Sequence, residues 1–234
     1  MAADPRQDAM AAEKQAAARR AVEYVADGMA LGLGSGTTMQ HVLDALGARV
    51  RTGLRVVGVP TSETTAARAR ALGIPLATLA ERPDLDLALD GADEIDPRLD
   101  LVKGRGGSLL REKVVATAAR RLVIVADATK LVPMLGARAP VPVEVVPFAA
   151  AWCALRLARR GLRPTLRGGA AQPFVTDNGN WILDCTFEPT PDATALAAAI
   201  RALPGVVEHG FFLGMADTAV VAYTDGRIEV RQRA

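Results

Sequence analysis

The stretch LVKGRGGSLLREKVVA, from Leu101 to Ala116, sets three glycines and a serine around Arg105, with Lys103 ahead of them and Glu112 just beyond. A Gly-rich turn feeding a helix N-terminus is an anion site, because backbone N–H groups point outward there and the helix dipole adds positive potential. A lysine near a carbonyl oxygen stabilises a developing oxyanion. A glutamate partly shielded from water holds a proton more readily, which suits a base working near neutrality. Standing alone, Glu112 reads as an ordinary first-turn acid favoured by the helix dipole.

Two further stretches carry polar groups at turns. GLGSGTT places Gly32, Gly34 and Gly36 after a short apolar run, with the hydroxyls of Ser35, Thr37 and Thr38 beside them. Backbone N–H groups of such a turn can bind phosphate. The dinucleotide fingerprint needs G-x-G-x-x-G and an acid about 20 residues on. Neither frame fits, because Thr37 stands three residues after Gly34 and Met39 three after Gly36. A Walker A loop is excluded for want of Gly-Lys-Ser/Thr. DGADEID puts Asp90 and Asp93 on one turn, flanking Gly91 and Ala92. Such a pair can ligate Mg²⁺, or hold sugar hydroxyls and exchange protons with them; it can also be a plain polar turn. Lys130, in ADATKLV, is a further cation that taken singly reads as a surface lysine.

These turns need elements to hold them. MALGLG reads as a strand, and Met39, Val42, Leu43 and Leu46 follow at helical spacing. LRVVGV is a continuous apolar strand, and TSETTAARARALG is a helix with an N-cap signal and a terminal glycine. LDLALD alternates and RLVIVAD is a buried strand, while an Ala-rich helix is expected over 13–27. Strands alternating with helices predict a mostly parallel sheet with helices on both faces, an α/β Rossmann-like domain. Ligands of such sheets bind beyond the carboxyl ends of the strands, so the turns 32–38, 61–65, 90–96 and 127–130 are expected at one rim. After Pro133 the pattern changes to strand, helix (148–160), strand, strand, helix (192–203). That predicts a smaller inserted α+β, ferredoxin-like domain of the split βαβ type. The expected division is 1–134 and 206–234 for the main domain and 135–205 for the smaller one, the tail from Val206 rejoining the main sheet.

Bulk composition narrows the function classes. The chain has 234 residues, 28 Lys plus Arg against 26 Asp plus Glu, and 4% aromatics. The near-neutral balance carries no polyanion-binding signature, and few aromatics argue against base stacking, so no nucleic-acid partner is expected. Cys153, Cys185, His41 and His209 are too few and too scattered for a metal cluster or a disulfide framework, so no metal is expected. The N-terminal stretch lacks the apolar core of a signal peptide, and no run approaches the ~20 apolar residues of a membrane span. The expectation is a cytoplasmic protein with no membrane partner.

Taken together, GLGSGTT, TSETTAARARALGIPL, DGADEID, LVKGRGGSLLREKVVA, ADATKLV, PVEVVPFA, VTDNGNWILD and PGVVEHGFFLGMAD resemble the type A family of ribose-5-phosphate isomerases, in family order from about residue 13 to about 225. The resemblance implies aldose–ketose isomerisation of ribose 5-phosphate and ribulose 5-phosphate, a step of the non-oxidative pentose phosphate pathway, with no metal or cofactor. It implies a homodimer or homotetramer. Carried over by position, Ser35, Gly36, Thr37 and Thr38 form one substrate loop, Asp90, Gly91, Ala92 and Asp93 a second, and Lys103, Gly104, Arg105 and Gly106 a third. Glu112 is then the general base, Asp90 and Asp93 handle protons at the sugar oxygens, and Lys103 faces the oxyanion. The Gly loops, Lys103 and Lys130 are the candidate phosphate anchors. Where the family commonly runs four glycines after the lysine, this chain has Arg105; the loop then requires a negative φ there, since a positive φ is costly for arginine. Thr37 stands where the family often has serine, which keeps a hydroxyl.

The competing classes are a non-catalytic sugar-phosphate sensor, a CoA transferase and an amino-sugar-phosphate deaminase. A sensor leaves Glu112 without a task. A CoA transferase needs a glutamyl thioester, and a deaminase releases ammonia.

Overall fold

The computed structural model describes residues 5–233. Along the chain it runs α1 (Pro5–Ala21), β1 (Ala30–Leu33), α2 (Thr37–Arg51), β2 (Val57–Pro60), α3 (Glu63–Ala71), β3 (Leu87–Asp90), β4 (Glu94–Ile95), β5 (Leu101–Val102), α4 (Leu109–Ala118), β6 (Leu122–Asp127), β7 (Val141–Val145), α5 (Ala150–Ala158), β8 (Arg163–Leu166), β9 (Trp181–Thr186), α6 (Thr194–Arg201), β10 (Val206–His209), β11 (Phe211–Phe212), β12 (Thr218–Ala222) and β13 (Ile228–Gln232). The main-domain range read from the sequence begins at 1 and ends at 234; residues 1–4 and 234 lie outside the described residues. The first helix ends earlier than its composition predicts. It tightens to a single 3₁₀ turn at Val22–Tyr24, and Val25 is already extended, a common way for an α-helix to finish.

Two compact units emerge. The first comprises, of the described residues, 5–91, 112–130 and 215–233. Its six strands are ordered β13-β12-β6-β3-β1-β2. The pairs among β12, β6, β3, β1 and β2 are parallel, and β13 closes the edge antiparallel to β12. β1, β3, β6 and β12 are buried at every position, as strands covered on both faces must be. Leu31, Leu33, Leu87, Leu89, Val123 and Val125 share one core with Met39, Val42, Leu43 and Leu46 of α2 and with Ala17, Ala18 and Ala21 of α1. Gly32 and Ala88 point to the opposite face, against Val115 of α4. The carboxyl ends of β1, β2, β3 and β6 lie along one edge, as their parallel registers require.

The second unit comprises residues 92–111 and 131–214. β7, α5, β8, β9, α6 and β10 form a βαββαβ unit, with antiparallel order β10-β7-β9-β8. That is the split βαβ arrangement expected of the smaller domain. Val141, Val143 and Val145 pack with Cys153, Leu157, Leu183, Cys185 and Ile200 in its core. Beside it stands a three-stranded sheet, β11-β5-β4. The tail therefore rejoins the main sheet only from Thr218: β10 pairs with β7 and β11 with β5. The units also divide differently from the sequence reading, because residues 92–111, 131–134 and 206–214 go with the second one. Pairing explains it: Ile95 bridges Leu131, and the N–H of Lys103 bonds the carbonyl of Gly210 at 2.8 Å.

One buried carboxylate ties this second unit together. Glu94 is fully buried, and its oxygens accept the backbone N–H groups of Gly136 (2.6 Å), Arg138 (2.5 Å) and Ala139 (2.7 Å). Hydrogen bonds to a charged group contribute about 1.5–3 kcal/mol each, and a buried donor left facing an amide loses that. Glu94→Gln is expected to lower the free energy of unfolding in urea by about 2–3 kcal/mol; an unchanged transition would show that the three bonds add nothing.

Candidate functional site

The first group of polar residues gathers at the carboxyl edge of the parallel sheet. β1 ends and the chain turns at Gly34, whose N–H bonds the Leu89 carbonyl at 2.9 Å. A Cβ on Gly34 would lie 2.1 Å from Oδ1 of Asp90, so only glycine lets that carboxylate lie flat on the turn. Asp90 is 3% exposed. Its Oδ1 accepts the N–H of Gly91 at 2.7 Å and that of Ser35 at 3.3 Å. The Ser35 hydroxyl donates to Oε1 of Glu112 at 2.5 Å. Glu112, in the first turns of α4, is 4% exposed. α4 reaches this position because Gly32 carries no side chain; a Cβ there would stand 2.4 Å from Val115, one helical turn beyond Glu112. Ser35, Asp90 and Glu112 are thus brought together by two glycines of one strand and its turn.

Gly36 caps α2 with φ near 90°, and no side chain caps the helix N-terminus. Thr37 and Thr38 open that helix, and their backbone donors face the same edge. Thr65, at the start of α3, donates its hydroxyl to the Gly34 carbonyl at 2.9 Å and is itself fixed by the Ser62 N-cap. Segment 61–65 therefore braces the Gly loop from below. Lys130 ends the single 3₁₀ turn that follows β6.

The second unit carries the remaining candidates. Asp93 donates its N–H to the Val102 carbonyl at 2.8 Å, and its Oδ2 accepts the Arg105 N–H at 3.0 Å. Lys103 is 3% exposed, with its ammonium 5.3 Å from the centre of the Phe212 ring, a favourable cation–π distance. Gly104 to Gly107 form a turn closed by a 3.0 Å backbone bond. Positive φ falls on Gly104 and Gly107 and not on Arg105. The arginine thus fits the loop without strain, as its sequence position required.

This ordered set of turns matches a known family over most of its length. The family model for ribose 5-phosphate isomerase A (phosphoriboisomerase A) matches residues 57–226. The chain belongs to the ribose-5-phosphate isomerase A family. A curated ribose-5-phosphate isomerase A of Roseiflexus castenholzii is 57% identical over 220 residues, 93% of this chain and 94% of that one. A solved ribose 5-phosphate isomerase A of Methanocaldococcus jannaschii superposes with a TM-score of 0.88 at 39% identity, covering 97% of this chain and 99% of its own. A solved D-ribose-5-phosphate isomerase in complex with phospho-erythronic acid superposes with a TM-score of 0.90 at 35% identity, covering 95% and 98%. Membership in the ribose-5-phosphate isomerase A family makes this protein a sugar-phosphate isomerase.

Among the described residues no three His, Cys, Asp or Glu side chains cluster as a metal site, and no helix is long and apolar enough to cross a membrane. Burial pushes the Cys185 thiol up to about 12 and raises the Cys153 thiol as well, which leaves both inert at neutral pH.

One candidate residue escapes the sequence reading. Lys14 of α1 donates its ammonium to the Thr37 hydroxyl at 3.2 Å, which adds a cation to the Gly36–Thr38 turn. Nothing in an Ala-rich helix marks it. Its neighbour Glu13 is buried, and Oε1 of Glu13 and Oδ2 of Asp127 both lack a hydrogen-bond partner. Burial first, and then the Asp127 charge, raise the proton affinity of Glu13, while Lys14 pulls the other way. The folded state therefore binds this proton more readily than the unfolded chain. The stabilisation is complete below the ordinary glutamate value of 4.5 and is lost as pH rises through the raised folded value. Glu13→Gln lacks that loss. Its melting temperature relative to the parent is expected to grow more favourable from about pH 4 to about pH 8; a pH-independent difference would mean Glu13 does not titrate this way.

Proposed function

We propose that the protein interconverts D-ribose 5-phosphate and D-ribulose 5-phosphate through an enediolate, with Glu112 as the general base. The observation that carries this reading is the buried Glu112 carboxylate held by the Ser35 hydroxyl, with Ser35 also bonded to Asp90. A base for a carbon acid needs a fixed position, and the Ser35 hydroxyl helps to supply it. A relative is solved with phospho-erythronic acid, a phosphorylated polyhydroxy acid one carbon shorter than a pentose phosphate.

In this reading Glu112 takes the C2 proton of the open-chain aldose. The electron pair left behind forms the C1–C2 double bond, and the carbonyl pair moves onto O1. The same carboxyl then delivers its proton to C1 as O2 collapses to the ketone. One proton passes from O2 to O1, and Asp90 and Asp93 handle that transfer and assist ring opening. The Lys103 ammonium stabilises the developing oxyanion without a metal or cofactor. The phosphate rests on the uncapped N-terminus of α2, at Ser35, Gly36, Thr37 and Thr38, with Lys14 and Lys130 as its cations; the helix dipole and free N–H groups favour a dianion there. Gly91, Ala92, Gly104, Arg105 and Gly106 complete the sugar contacts through their main chains. The reading includes a cytoplasmic homodimer or homotetramer; the exposed apolar stripe of Phe148, Trp152 and Leu155 at α5 supports a subunit contact.

Two variants test it. With ribose 5-phosphate in EDTA, the parent is expected to form ketose, while Glu112→Gln loses about 10²–10⁴-fold in kcat with KM little changed. A loss confined to KM would make Glu112 a binding group only. Saturable sugar-phosphate binding without turnover by either protein would favour the sensor. Lys14→Met is expected to raise KM by about 10- to 100-fold, since a hydrogen bond to a charged group contributes about 1.5–3 kcal/mol; an unchanged KM would remove Lys14 from the phosphate site.

A further inference from the structure

Arg167, just after β8, is drawn into the protein where most arginines here are exposed. Its side chain is 17% exposed and that of its partner Asp184, in β9, is 25% exposed. Nε and Nη2 meet the two oxygens of Asp184 at 2.9 and 2.5 Å, a bidentate fork. The third nitrogen turns elsewhere. Nη1 donates to the carbonyl of Gly104 at 3.1 Å and to that of Arg105 at 3.0 Å. An ion pair that only tied β8 to β9 would need the fork and nothing more.

The guanidinium is itself well fixed. It lies 5.6 Å from the centre of the Phe174 ring. That ring also fills the space before Gly107, where a Cβ would come within 2.5 Å of it. The Arg167 N–H bonds the Ile182 carbonyl at 2.9 Å, and its carbonyl accepts the Phe174 N–H at 2.8 Å. Backbone, fork and ring thus hold one cation against two consecutive carbonyls of the substrate loop.

Peptide geometry carries this outward. In a trans peptide the C=O and N–H point in opposite directions. With the Gly104 carbonyl turned to Arg167, the N–H of the same peptide turns away, and it donates to Oδ2 of Asp93 at 3.0 Å. A charged donor at the oxygen and a carboxylate at the N–H polarise the peptide in the same sense, and each bond strengthens the other.

We propose that Arg167, oriented by Asp184, is a positioning residue that sets the Lys103–Gly107 loop and, through the Gly104–Arg105 peptide, the carboxylate of Asp93. The inference rests on reading that loop as part of the substrate site. It gives the smaller sheet a task in the isomerase reaction, since both residues of the fork belong to β8–β9 and the turn between them. Lysine cannot replace Arg167 here, because one ammonium cannot serve two carboxylate oxygens and two carbonyls in a plane.

The test uses the full-length protein and two readouts. Arg167→Ala is expected to lose about 10- to 100-fold in kcat/KM for ribose 5-phosphate. Arg167→Lys should not recover it. Asp184→Asn should fall in the same direction, and the double variant should be no worse than Arg167→Ala, the mark of residues acting as one unit. The second readout needs no activity. Arg105 is exposed, so trypsin can cut between Arg105 and Gly106. In Arg167→Ala that cut should accelerate about 10-fold relative to cuts after the exposed Arg160 and Arg227, measured by mass spectrometry below the melting temperature. Activity within twofold of the parent with an unchanged cut ratio would overturn the proposal. So would a loss of activity with all three cuts accelerating together, which is simple destabilisation. If the parent itself fails to isomerise ribose 5-phosphate, the proposed function falls, and the cut ratio alone decides whether Arg167 sets the loop.

Discussion

The absence of side chains along one face of β1 and its turn is the constraint on which the proposed base depends. Gly32 and Gly34, two residues apart, project to the same side of the sheet. At the first, α4 presses Val115 to 2.4 Å from where a Cβ would be; at the second, the Asp90 carboxylate occupies the Cβ position to within 2.1 Å. A methyl at either place pushes the helix off the strand or the aspartate off the turn. Overpacking of this kind in a tight core typically costs about 1–3 kcal/mol. Here it would also separate Ser35 from Glu112. The glycines that looked like a phosphate loop therefore do two things. Gly36 shapes the helix N-terminus, while Gly32 and Gly34 make room for the carboxylates.

Two buried glutamates are tied to the chain by different kinds of donor. Glu94 has both oxygens committed to backbone N–H groups of residues 136–139, fixed donors that cannot rotate away. Such a carboxylate is an anchor, and it ties the turn after DGA to the chain 42 to 45 residues on. Glu112 receives a serine hydroxyl, a donor that can rotate and can also accept. That hydroxyl ties Oε1 of Glu112 to the Gly34–Ser35 turn. The two glutamates occupy adjoining sequence motifs and similar burial, so burial alone would not tell them apart.

Much of this was legible in the sequence because periodicity and turn chemistry are local. The parallel sheet followed from the apolar runs at Leu31–Leu33, Leu87–Leu89 and Leu122–Ala126, and the rim from the polar turns behind them. The negative φ of Arg105 followed from the cost of the alternative, with Gly104 and Gly107 taking the positive angles. What escaped was long-range. β10 pairs with β7 some 60 residues away, and β11 with β5 more than 100 away. Antiparallel pairing leaves no mark on the alternation of either strand, so the sequence alone returns the tail to the larger sheet too early. Lys14 meets Thr37 across 23 residues from a helix whose composition speaks only of packing.

Arg167 belongs with these long-range features, and it bears on what an inserted domain does for an active site. An arginine after a half-exposed strand reads as solvated surface, and its fork to Asp184 reads as one more cross-strand pair. The third nitrogen changes that reading, because it spends a partly buried guanidinium donor on carbonyls 62 and 63 residues away. Glycine-rich loops gain reach at the cost of order, since each glycine leaves more backbone freedom to be lost on binding. A loop of Gly104, Arg105, Gly106 and Gly107 needs an external clamp if its N–H groups are to point one way before substrate arrives. The smaller sheet supplies that clamp from its own strands, which fixes the Arg105 amide on Asp93 and lets the loop carry three glycines without becoming slack.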